Sequence, residues 1–226
     1  MKKLAFSLLL LGCAATAHAQ TSAGTVLLGG SVGYGSNKEE SSSGQLAAER
    51  NWREFQFFPT AGYFVADNLA LGLAGHFSSN KSEVSATRYD PAYGIYQSEY
   101  TSKSRGAAIG PFVRYYHMAG EKIGFYGQFA GRYQSHRLEE KSEVPFETTN
   151  SKSTGFGAFF TPGFVFFPTN KLGLELTMGN LGYSRNTTTQ EATSQRQEQK
   201  ITSSGFGAFF GLQNLALGAS FYLAGK

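Results

Sequence analysis

The sequence predicts an all-β chain, an eight-stranded antiparallel up-and-down transmembrane β-barrel. Glycine supplies 28 of 226 residues and Phe plus Tyr (20 and 12) another 32, while charged residues are only 16%, well below the ~25% of an ordinary soluble domain. Eight stretches alternate apolar with small or polar residues at the period of a strand. The connections between those stretches alternate in length, the asymmetry of a barrel with turns on one side of a membrane and loops on the other.

The stretches are 24–36, 52–65, 69–79, 105–117, 123–137, 154–167, 172–184 and 202–223. Ala66-Asp67-Asn68, Ala119-Gly120-Glu121-Lys122 and Pro168-Thr169-Asn170-Lys171 read as tight turns, whereas 37–51, 80–104, 138–153 and 185–201 read as long polar loops. Parity then sorts an outside from an inside. In the second stretch Phe55, Phe57, Pro59, Ala61, Tyr63 and Val65 oppose Glu54, Gln56, Phe58, Thr60 and Gly62. In the third, Leu69, Leu71, Leu73 and Phe77 oppose Ala70, Gly72, Ala74, His76 and Ser78. The fourth sets Ala107, Ile109, Val113 and Tyr115 against Gly106, Gly110, Arg114 and Tyr116, and the fifth sets Ile123, Phe125, Phe129 and Tyr133 against Tyr126, Gln128 and Arg132. In the seventh, Leu172, Leu174, Leu176 and Met178 oppose Gly173, Glu175 and Thr177. The eighth breaks parity, with Phe206, Ala208, Phe210 and Leu212 even but Leu215, Leu217, Ala219, Phe221 and Leu223 odd. A bulge at 211–214 absorbs the extra residue; the other option is a turn there and a ninth strand.

The chain repeats itself. Pro59, Pro111 and Pro162 are each followed four residues later by an aromatic pair, Tyr63-Phe64, Tyr115-Tyr116 and Phe166-Phe167, just before a short turn. With Phe125-Tyr126 and Phe221-Tyr222 they are expected to gather at one membrane boundary as an aromatic girdle.

The first segment reads as an address. Lys2 and Lys3, the apolar run Leu4 to Leu11 and Ala17-His18-Ala19 make a signal peptide over 1–19, with the barrel domain over 20–226 and a mature start at Gln20. Leu10-Leu11-Gly12-Cys13 allows a competing reading in which Cys13 is lipidated. Cleavage before Gln20 removes the one cysteine and with it disulfides and thiol catalysis. It also removes two lysines, so 18 Lys+Arg face 16 Asp+Glu and the net charge falls from +4 to +2. No basic stripe with interleaved aromatics suggests nucleic acid. Beyond the signal no run of 18 apolar residues exists, yet a closed barrel also satisfies every backbone group in lipid.

Tyr63 to Gly72, Gly110-Pro111-Phe112-Val113-Arg114-Tyr115-Tyr116 and Leu217 to Tyr222 resemble the small outer-membrane β-barrel domain proteins of Gram-negative bacteria, often labelled porin-family. The resemblance covers the mature chain and implies an outer-membrane monomer inserted by the barrel-assembly machinery, but no chemistry. One departure is that Ala224-Gly225-Lys226 follow the terminal aromatic signal, which such barrels usually place last.

Candidate chemistry is sparse. An eight-stranded barrel is only wide enough to be filled by side chains, so Glu54, Arg114, Arg132 and Glu175, with Gln56 and Gln128, are expected to meet inside as a neutral charge network; the alternative is an ion or small-solute path through them. His76-Phe77-Ser78 puts a His and a Ser on one strand face, similar to the His-x-Ser of outer-membrane lipid A deacylases, with Glu54 or Glu83 as a third member. Parity turns that pair inward, away from lipid, and marks it as interior filling. With only Asp67 and Asp90 as aspartates, no metal site or cofactor is expected. Tyr89, Tyr93, Tyr96 and Tyr100 make 80–104 the candidate loop for an extracellular ligand, because tyrosine offers large contact area at low entropy cost. The expected function is non-enzymatic, a structural or adhesion role carried by surface loops.

Overall fold

The computed structural model describes residues 20–43, 46–91, 94–143, 146–192, 197–211 and 215–223; the expected leader, with Cys13, lies outside them. Among the described residues there are ten strands: β1 (Val26–Ser43), β2 (Leu46–Ala66), β3 (Leu69–Asp90), β4 (Gly94–Met118), β5 (Ile123–Glu143), β6 (Phe146–Thr169), β7 (Leu172–Met178), β8 (Asn180–Gln190), β9 (Gln199–Phe209) and β10 (Leu215–Leu223). β1 to β6 pair antiparallel in chain order. β6 then meets both β7 and β8, β7 meets β10, β8 meets β9, and β10 returns to β1. β7 with β8, and β9 with β10, are therefore two halves of single crossings, and the ring has eight strands.

The seventh stretch is thus broken where the sequence suggested continuity. Gly179 sits between its halves at φ +86°, and a Cβ there would lie 1.9 Å from the Phe209 carbonyl oxygen. Only glycine accepts both the left-handed backbone and the close approach. In the eighth stretch β9 ends at Phe209 and β10 begins at Leu215; the bulge expected at 211–214 falls mostly on 212–214, outside the described residues, and β9 on β8 with β10 on β7 adds no ninth crossing.

The polar segments expected as loops are largely strand. β1–β2 stays in register up to Ser43↔Leu46, β3–β4 up to Asp90↔Gly94, and β5–β6 up to Glu143↔Phe146. The apolar alternation stops where the chain leaves its apolar belt, while the backbone ladder runs on through Ser, Thr, Glu and Lys. Neighbours on one face of these hairpins pair ionically: Lys38 with Glu40 at 2.6 Å, Lys81 with Glu83 at 2.5 Å and Glu139 with Lys141 at 2.9 Å. The adjacent lysine holds each of these exposed carboxyls below its ordinary range.

Face assignment follows the parity. Phe55, Phe57, Tyr63, Leu71, Leu73, Phe77, Ile109, Val113, Tyr115, Phe125, Phe129, Leu174 and Met178 are all exposed on the outside, while Phe64, Ala70, Ala74, Phe112, Arg114, Tyr116, Tyr126, Gln128 and Glu175 are buried. The proline-spaced aromatic pairs divide. Tyr63, Tyr115 and Phe166 face outward, whereas Phe64, Tyr116 and Phe167 are at most 1% exposed inside the ring. Because successive side chains point to opposite faces, each pair contributes one ring to an outer girdle and one to the core. Gln20 to Thr25 close the turn end: Thr21 Oγ1 donates to Asn68 Oδ1 at 2.6 Å, and the Asn68 amide donates to the Thr21 carbonyl at 2.7 Å.

One seam departs from full closure. β10 pairs with β1 over five residues, Val26↔Leu223 to Gly30↔Ala219, and among the described residues β1 beyond Gly30 has no ladder to β9. Among the same residues, β9 is laddered to β8 alone. In the refolded protein, β9 amides pointing away from β8 are expected to exchange with solvent deuterium much faster than β4 amides, which are laddered on both sides. Equal protection by mass or NMR readout would mean the seam is closed.

Candidate functional site

The ring's inward residues converge on Arg114 of β4. Its Nη1 donates to both Glu175 oxygens, Oε1 at 2.9 Å and Oε2 at 3.0 Å, and to the Tyr116 hydroxyl at 2.9 Å. Its Nε donates to Gln128 Oε1 at 2.8 Å. Tyr126 donates to Glu175 Oε2 at 3.2 Å, Tyr222 to Oε1 at 3.1 Å, and the Tyr116 and Tyr222 hydroxyls lie 3.0 Å apart. The guanidinium also stands 4.4 Å from the Tyr126 ring centre. Arg114 is 4% exposed and Glu175 8%. A buried ion pair persists when its remaining donors and acceptors are satisfied, and here β4, β5, β7 and β10 together supply those partners. Below this pair lie the rings of Phe64, Phe167, Tyr116 and Tyr222, Phe167 meeting Tyr222 edge-on at 4.9 Å. Charge pair and aromatic layer together plug the turn end of the barrel.

The other two members of the expected network stand elsewhere. Glu54 accepts a hydrogen bond from Gln56 at 2.7 Å and does not reach Arg114. Arg132 makes no ion pair among the described residues; its Nε is buried without a hydrogen-bond partner, and its guanidinium lies 5.2 Å from the Phe159 ring centre. Parity predicts which face a side chain occupies but not its height along the barrel. Arg114 lies opposite Gln128 on β5, and Arg132 is four residues further along that strand, about 13 Å at ~3.3 Å per residue.

His76 and Ser78 both face inward, and no hydrogen bond joins them among the described residues. The His76 ring stacks on Phe58 at 4.3 Å, and its Nε2 is buried without a partner. Neither Glu54 nor Glu83 holds the imidazole by a hydrogen bond; Glu83 instead takes the Lys81 ammonium. A serine nucleophile needs a base in hydrogen-bond reach, and none is assembled here. Among the described residues no group of three His, Cys, Asp or Glu could hold a metal ion.

The tyrosines of 80–104 do not form one contact face. Tyr89 is exposed on the outside of the β3–β4 hairpin. Tyr96 and Tyr100 are half-buried on the inner face, where the Tyr100 hydroxyl donates to Glu140; Tyr93 lies outside the described residues. Burial and Glu140 push the Tyr100 phenol above its ordinary pKa.

No family model matches the sequence, and no curated protein matches it either. Among solved structures, the chain is similar to the outer membrane protein OprG from Pseudomonas aeruginosa, at 13% identity and a TM-score of 0.54 over 91% of this chain and 99% of that one. That likeness bears on the fold. Looser matches are a major outer membrane protein from Thermus thermophilus (13% identity, TM-score 0.48, 88% and 98% covered) and Neisserial surface protein A (16%, 0.31, 88% and 97%).

Proposed function

We propose that this chain is a non-enzymatic outer-membrane β-barrel with a filled interior, whose extended hairpins serve a structural or adhesive role at the surface. The observation that carries the reading is the pairing of an outward apolar belt with a plugged core. Val113, Tyr115, Phe125, Phe129, Leu71 and Leu73 present apolar surface on the outside of the ring, while Arg114 and Glu175 are locked together at its centre. Only a surrounding lipid phase makes that exchange of faces favourable, since apolar side chains outside and a charged network inside invert the order of a soluble core.

A signal peptide over 1–19 fits this reading, because Gln20 and Thr21 are buried against the turn residues Asn170 and Asn68. Insertion by the barrel-assembly machinery and a monomeric state belong to the same proposal. Surface contact would fall to exposed positions such as Tyr89 rather than to the tyrosines that face inward. The test is fractionation with heat-modifiable gel migration: the protein is expected to remain with the outer membrane after carbonate washing and to shift mobility on boiling. Recovery in the soluble periplasmic fraction would overturn the proposal.

A further inference from the structure

Above the Arg114–Glu175 pair the barrel holds a cavity of about 260 Å³, lined among others by Thr60, Gln128, Arg132, Thr161, Thr177 and Asn180. Its floor is neutral: the Glu175 oxygens are occupied by Arg114, Tyr126 and Tyr222. Its wall carries Arg132, a cation with no carboxylate partner among the described residues and a buried Nε that donates to nothing. A guanidinium partly withdrawn from water without an anion carries a desolvation cost, and its donor fork matches the two oxygens of a carboxylate or phosphate. The hydroxyls of Thr60 and Thr161 and the side-chain amides of Gln128 and Asn180 line the same cavity and can donate the remaining hydrogen bonds to such a group. The volume is below that of a drug-sized pocket, which limits the occupant to a few heavy atoms beyond its charged head.

We propose that this cavity is a lumenal binding site for a small oxyanion, a carboxylate or a phosphate, anchored by Arg132. The site goes beyond the reading above, requires only the barrel fold, and does not depend on what the hairpins contact.

The test is an NMR titration of the Arg132 Nε–H signal in the refolded full-length barrel in detergent, with sodium acetate and inorganic phosphate as separate probes and sodium chloride at matched ionic strength as control. A saturable shift with acetate or phosphate, absent with chloride, is expected; which probe saturates identifies the oxyanion. Arg132→Met should weaken calorimetric binding about tenfold or more, the loss of a charge-assisted hydrogen-bonded pair. Arg132→Lys keeps the charge without the fork and should bind more weakly than wild type, which covers the case in which Arg132→Met does not fold. No saturable shift up to roughly 100 mM of either probe, above the range of a site of even millimolar affinity, the same shift with chloride, or unchanged affinity in the folded variants would overturn the proposal.

Discussion

Arg114→Met is expected to destabilise the barrel by about 3–5 kcal/mol, because it leaves Glu175 as an unpaired charge 8% exposed in the core. Glu175→Leu alone should cost a similar amount by stranding the guanidinium. The double variant Arg114→Met/Glu175→Leu is expected to recover much of the loss, since a buried ion pair of this kind is often replaceable by apolar side chains of similar volume. Recovery should be incomplete: Tyr126 and Tyr222 each donate a hydrogen bond to Glu175 and Gln128 accepts one from Arg114, and removing the pair takes those partners away. Urea unfolding in micelles reads the cycle. Additive losses would mean that the two charges do not interact in the folded protein.

Tyr116→Ala is the other large effect, expected at about 3–5 kcal/mol for emptying an aromatic site in a packed core. The side chain is fully buried and its ring lies 5.5 Å from both Phe64 and Tyr126. Tyr116→Phe separates ring from hydroxyl. Arg114 and Tyr222 both retain Glu175 as a partner, so the hydroxyl alone should be worth about 1–2 kcal/mol. Equal losses for Ala and Phe would show that the ring contributes no packing.

The faces of the barrel were legible because the strand period is two and one face meets an apolar surround; each of the charges Arg114, Glu175 and Arg132 could be assigned inward from its neighbours. Three features were not legible, for different physical reasons. The hairpin extensions through 37–51 and 80–104 carry no hydrophobic alternation, and backbone pairing there leaves no mark in a polar sequence. The kink at Gly179 looks in sequence like any other small residue on a strand; its role rests on the approach of Phe209 from β9, a contact 30 positions away. The split of the expected four-charge network follows from height. Glu54 lies opposite Asn80, which lies opposite Ser104 on β4, and Ser104 is ten positions from Arg114, about 33 Å of strand. The aromatic repeat carried more than its first reading as a girdle, since the second ring of each pair was the available signal for the plug.

Planar-bilayer conductance of the refolded wild-type protein tests the central claim of a filled interior most directly. The Arg114–Glu175 pair and the rings of Phe64, Tyr116, Phe167 and Tyr222 occupy the turn end of an eight-stranded ring too narrow to spare a channel beside them. The predicted result is a bilayer that shows no discrete ohmic steps after insertion is verified by heat-modifiable migration. Stable single-channel steps that scale linearly with voltage would contradict it and make the interior a conducting path.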